Sequence, residues 1–180
     1  AGAAARMFNI RSQLNRWGQV SLAGYLNELE AIELDLRMWM GEDSPWPTSS
    51  HVRRELELIQ EERIRMLFIN RMSGGLDRPV EQVFELLERM ADEHMQSHRL
   101  MEHWLRMGIY YETLCRDWSD ANPPEGIHFH DNPSWFTWVE SARSAYHRVA
   151  RADGNPVKPE GQSRLRALDA YVMRISRRGR

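Results

Sequence analysis

Apolar residues recur every three or four positions along nearly the whole of this chain, and no stretch alternates with the period of two that a half-buried strand requires. That pattern restricts the fold to helices that bury apolar stripes against one another. Over residues 20–40, Leu22, Leu26, Leu29, Ile32, Leu36 and Trp39 form one stripe about five helical turns long, with Glu28, Glu30, Glu33 and Asp35 as an acidic flank. A shorter helix over 9–17, ended by Gly18, is expected to precede it.

Residues 41–49, GEDSPWPTS, read as a loop, because two prolines within three residues stop a helix. Ser49 or Ser50 is the expected cap of a second helix over 50–72, whose line of Val52, Leu56, Ile59, Arg63, Met66 and Asn70 is imperfect. SGGLDRP at 73–79 is the clearest turn, with Asp77 as cap and Pro79 suited to a first helical turn. A long third helix is expected from Val80 through Leu105 to about Leu114, with Gly108 as a bend. Residues 119–133 form one long irregular loop. A fourth helix over 132–152 presents Trp135, Trp138, Val139, Ala142, Tyr146 and Val149, and a last helix over 162–177 presents Leu165, Leu168, Tyr171, Val172 and Ile175. The expected fold is an all-α bundle of about five helices: an acidic helical core over 7–152, then a linker and a basic C-terminal helix over 153–180 that packs on it. Heptad-like spacing in the second and third helices suits a homo-oligomer.

At 180 residues, 42% hydrophobic and 28% charged, the chain has the composition of an ordinary globular protein. Its one cysteine, Cys115, excludes an internal disulfide and suggests an intracellular, reducing compartment. No apolar run approaches the roughly 20 residues of a membrane span, so no membrane partner is expected. The opening segment lacks the apolar stretch of a secretory signal. Met7 is a candidate native start, and residues 1–6 carry no weight in the fold reasoning.

Charge is distributed unevenly. Arginine outnumbers lysine twenty-three to one. Residues 143–180 hold ten basic and three acidic residues, whereas residues 1–142 hold fourteen basic and twenty-three acidic ones. An acidic body joined to a basic end points to an anionic partner for that end: nucleic acid, or an acidic protein surface. The expected phosphate-neutralising residues are Arg143, Arg148, Arg151, Arg164, Arg166, Arg174, Arg177, Arg178 and Arg180. Guanidinium groups suit that task because they grip phosphate in a two-pronged fashion.

Other constellations carry less. His94, His98 and Glu102 are spaced to stack on one face of a helix and are chemically suitable zinc or iron ligands, with His128 and His130 available from the loop. They match no established metalloenzyme motif. Cys115 has no surrounding catalytic signature, and no phosphate-cradling glycine loop occurs. No cofactor is expected. Seven tryptophans are many for this length, and Trp118, Trp135 and Trp138 bracket the long loop beside Phe129 and Phe136. With Trp46 in its rigid proline-flanked loop, Trp118, Phe129, Trp135 and Trp138 make a candidate partner-binding patch. The resulting expectation is a non-enzymatic binding protein that associates with nucleic acid through its arginine-rich end. A protein-interaction adaptor using the tryptophan-rich loop is the alternative, and a metal site on His94 and His98 is the third reading.

Overall fold

A computed structural model describes residues 12, 21–39, 46–72, 80–126, 129 and 133–178. Among them are six α-helices and no strand: α1 Leu22–Trp39, α2 Trp46–Met72, α3 Val80–Glu93, α4 Leu100–Ala121, α5 Pro133–Ala150 and α6 Lys158–Arg178. α1 packs on α2 and α2 on α3, and likewise α4 on α5 and α5 on α6, as in a bundle. The helix expected over 9–17 lies, apart from Ser12, outside the described residues.

Six helices replace the expected five because the long third helix is interrupted at residues 94–99. Neither glycine nor proline causes the break. Instead the Ser97 hydroxyl accepts the Arg99 N–H at 3.1 Å, and tight turns close from Ser97 N–H to His94 O (2.8 Å) and from Leu100 N–H to Ser97 O (3.1 Å). A serine that bonds its own backbone two residues on competes with the helical ladder. At the start of α2 the reverse holds. The helix begins at Trp46, ahead of the expected serine caps, because Pro47 falls in the first turn, where its missing N–H is not needed.

The chain divides into two compact units, Ala1–Glu93 and His94–Arg180. The first carries eleven basic and sixteen acidic residues, the second thirteen and ten. In the first unit Ser21 caps α1 by accepting the Gly24 N–H at 3.1 Å. Tyr25, Leu29, Ile32 and Leu36 of α1 then bury against Val52, Leu56 and Ile59 of α2. α2 also packs on α3, whose Val83, Phe84, Leu87, Met90 and Ala91 are buried. Serving two neighbours explains why the apolar line of α2 looked imperfect. Its off-line residues Gln60, Glu62 and Glu57 are buried too.

The buried charge of Glu33 in this unit is matched. Glu33, 5% exposed, accepts Arg37 Nη2 (3.0 Å) and Gln60 Nε2 (3.2 Å) on Oε1 and Arg63 Nη1 (2.8 Å) on Oε2. Arg37 and Gln60 also hold Glu93, the last residue of α3, at 2.8 Å each. Burial alone pushes a carboxyl's pKa up. The bonds from Gln60, Arg37 and Arg63 outweigh it and hold Glu33 below the usual carboxylate range.

In the second unit α5 packs on both α4 and α6. Two glycines allow the close approach. A Cβ on Gly108 of α4 would lie 2.4 Å from Tyr146 Cε1 of α5, and one on Gly161 of α6 would lie 2.6 Å from Val149 Cγ1. α4 runs unbroken through Gly108. The α5–α6 connection turns at Gly154, whose φ of 73° suits glycine, and Asn155 Oδ1 accepts the Val157 N–H at 3.1 Å.

Candidate nucleic-acid interface

The last helix is fixed by its apolar side. Leu168, Tyr171 and Ile175 are buried at helical spacing, together with Gly161. At 100° per residue, Arg166, Ala170, Met173 and Arg177 fall on the opposite side. Met173 is 60% exposed, and Arg166, Arg174, Arg177 and Arg178 are exposed.

The nine arginines singled out by the sequence meet different fates. Arg143 bonds Asp169 of α6 at 2.9 Å and also pairs with Glu140. Burial works against its charge, but Asp169 and Glu140 more than offset it and raise its pKa. Arg164 holds Glu160 at 3.0 Å and lies 3.7 Å from Glu112 of α4. These two guanidinium groups are internal fasteners. Arg148 stacks over the Trp104 ring at 4.0 Å. Arg166 donates to the Gln162 carbonyl at 3.2 Å and has no carboxylate partner among the described residues. Arg151, Arg174, Arg177 and Arg178 are exposed, with no carboxylate within 4 Å among the described residues. Arg180 lies outside the described residues.

Antiparallel packing separates the arginines into two groups. Arg143 meets Asp169, Tyr146 lies near Arg164, and Val149 meets Gly161, so α5 and α6 run in opposite directions. Arg148 and Arg151 therefore sit toward the start of α6. Arg174, Arg177 and Arg178 sit at its other end, about 20–25 Å away along the helix at 1.5 Å per residue.

The tryptophan-rich patch is largely interior. Phe129 and Trp135 are each 1% exposed, and Trp118, Phe129 and Trp135 form a chain of tilted rings with centroids 4.9 and 5.0 Å apart. Trp135 donates its indole N–H to the Cys115 carbonyl at 3.2 Å. Trp118 and Trp138 are half-buried. In this arrangement the loop's rings anchor residue 129 and α5 to α4. The Trp46 side chain lies outside the described residues.

The histidines part company because the helix expected to align them is broken. His94 is buried in the turn after α3. His98 is exposed. Glu102 lies in the first turn of α4 and pairs with Arg99 at 3.1 Å. Among the described residues no group of three or more His, Cys, Asp or Glu is placed to hold a metal ion.

A buried cluster in the second unit escaped the sequence reading. Glu112, 7% exposed, accepts Arg116 Nη2 at 2.7 Å on one oxygen and the Tyr146 hydroxyl at 2.6 Å on the other. Burial and the anionic Glu112 both raise the Tyr146 pKa. One turn along, the Tyr171 hydroxyl meets Ser119 Oγ and the Cys115 carbonyl, and Arg116 lies over its ring at 4.6 Å. Cys115 itself is fully buried, and burial pushes its thiol up to about 12. Such a thiol is unreactive at neutral pH. This polar seam ties α4, α5 and α6 together. Among those residues, no helix is long and apolar enough to cross a membrane.

Comparison with known proteins finds no matching family model, no matching curated protein and no matching solved structure.

Proposed function

We propose that this protein binds nucleic acid without catalysing a reaction, using the arginines on the outer side and C-terminal end of α6. Three exposed guanidinium groups within five residues, Arg174, Arg177 and Arg178, carry that reading. Elsewhere in the same unit Arg99, Arg116, Arg143 and Arg164 all find carboxylates. The negative end of the helix dipole accounts for cations in the last turn, but Arg166 and Arg174 lie upstream of it. Exposed arginines on a rigid helix face suit phosphate contacts, which position a protein on a strand without reading its bases.

Fluorescence anisotropy with a labelled oligonucleotide across a salt series tests the proposal. Affinity is expected to fall linearly on a log–log plot. Replacing Arg174, Arg177 and Arg178 together by Ala is expected to flatten the slope by about 2–3, at 0.7–0.9 per phosphate contact. Binding that ignores salt, or a triple variant that binds like the parent chain, refutes it.

A further inference from the structure

We infer that the chain associates with copies of itself head to tail, the outer face of α1 in one copy docking on the outer face of α6 in a second copy. The inference goes beyond the nucleic-acid reading and does not rest on it, although the two share Arg166, Arg174 and Arg177.

On α1, at 100° per residue, Asn27, Ala31, Leu34 and Met38 lie on the side away from the buried Leu29, Ile32 and Leu36. All four are exposed, Leu34 by 57% and Met38 by 72%. A single surface leucine needs no explanation. An apolar line of three at helical spacing with a charged rim fits a docking face better. The rim is acidic. Glu28 and Glu30 are exposed beside the line, and Glu30 keeps 52% of its side chain exposed although Arg63 reaches it at 3.1 Å. The one cation of the helix, Arg37, is held by Glu33 and Glu93.

The outer side of α6 repeats this construction with the opposite sign. Away from the buried Leu168, Tyr171 and Ile175 it carries Ala170 and Met173, the latter 60% exposed, among the exposed Arg166, Arg174 and Arg177. Both carboxylates of the helix are engaged, Asp169 with Arg143 and Glu160 with Arg164. An acidic face with an apolar centre therefore has its complement on the same chain.

The two patterns interlock in one orientation. Ala31 and Leu34 are three apart, as are Ala170 and Met173. Run antiparallel, Leu34 falls on Ala170 and Met173 on Ala31, so each large side chain meets a small one. The same alignment brings Glu30 level with Arg174, sets Glu28 between Arg174 and Arg177, and lays Met38 along the apolar stem of Arg166. Each copy then keeps one unused face of either kind, so the contact is heterologous and builds open chains or closed rings. It also covers Arg174 and Arg177, which closes a joined α6 to a phosphate strand.

Sedimentation velocity of nucleic-acid-free protein over a concentration series tests the joint by itself, so a failure of strand binding leaves it standing. One helix on one helix belongs with the small, weak interfaces below about 1,200 Å². The mass is expected to rise with concentration, and less so at higher salt. Leu34→Arg on α1 and Met173→Glu on α6 are each expected to weaken association at least about 10-fold. Both positions are exposed, and a far-ultraviolet circular dichroism spectrum like the parent's shows that the fold is kept. An equimolar mixture of the two variants should associate although neither does alone, because each supplies the face the other lacks. A parent chain that stays monomeric up to about 1 mM overturns the inference. So does undiminished association of either single variant, which would mean that α1 pairs with α1 or α6 with α6, and so does a mixture that remains monomeric.

Discussion

Gly108→Ala distinguishes two accounts of one residue by the sign of its effect. If Gly108 only weakened α4, alanine would stabilise the helix by about 1 kcal/mol. The structure points the other way. The added methyl would sit 2.4 Å from Tyr146 Cε1 and 2.6 Å from Cδ1. The ring cannot easily retreat, because Tyr146 is fully buried and its hydroxyl is held by Glu112 at 2.6 Å. Overpacking of a rigid core costs about 1–3 kcal/mol. With both neighbours fixed the upper part of that range applies, so the net loss is about 1–2 kcal/mol. Urea melts followed by far-ultraviolet circular dichroism measure it directly, and in a thermal scan it corresponds to a Tm lowered by about 2–8 °C. Repeating the substitution in a Tyr146→Leu background removes Cε1 and Cζ, and there alanine should be neutral or stabilising. A more stable single variant, or an undiminished cost once the ring has been replaced by the shorter leucine side chain, refutes the close-approach account.

Two further outcomes follow from the buried polar groups. Cys115 and Tyr146 both have folded pKa values above their ordinary ones, so their stabilisation is complete below about pH 9. It is lost as pH rises from there toward 12, at up to about 1.4 kcal/mol per pH unit for each group. Alkaline melts should show that decline, Cys115→Ala should make it shallower, and a thiol reagent at pH 8 should label Cys115 only after unfolding. Glu33 is shifted the opposite way: its stabilisation is present above about pH 4.5 and lost as pH falls below it. Glu33→Gln leaves Arg63 without its inner partner and should cost about 2–4 kcal/mol at pH 7, with a flatter acid limb in the melts.

What the residues reveal locally and what they hide differ for a physical reason. The stripes of α1 and α6 are legible because periodic burial against one neighbour leaves a periodic trace. Among the buried apolar residues of α1 only Tyr25 was missed, and its hydroxyl donates to Glu62 of α2 at 3.1 Å. Glu33 reads as part of an acidic flank, and Glu112 attracts no notice, because their partners are distant in sequence: Arg63 is 30 residues on, and Tyr146 is 34. One trace existed, since Arg63 lies on the apolar line of α2, where a cation needs a buried counterion. The break at 94–99 left only Ser97 as a signal, since serine occurs often enough inside helices to pass unnoticed. The aromatic group around Phe129 was visible as composition. Which ring meets solvent depended on how residue 129 packs on α4 and α5.

Counting arginines overstates what a strand of phosphates can meet. Nine contacts would make affinity fall with a log–log salt slope near 8. Arg143 and Arg164 are tied to Asp169 and Glu160, and releasing either would unfasten α5 from α6 or expose Glu112. Arg148 lies on Trp104 at the far end of α6, with Arg151 beyond it. A short strand bound at the C-terminal end of α6 therefore meets Arg174, Arg177 and Arg178, with Arg166 farther along the helix. The expected slope is about 2–3. Arg143→Gln should lower stability and leave that slope unchanged, whereas loss of the terminal trio should lower the slope and leave stability nearly unchanged. The sequence groups these residues together as one basic end, and the carboxylates around them separate fasteners from contacts.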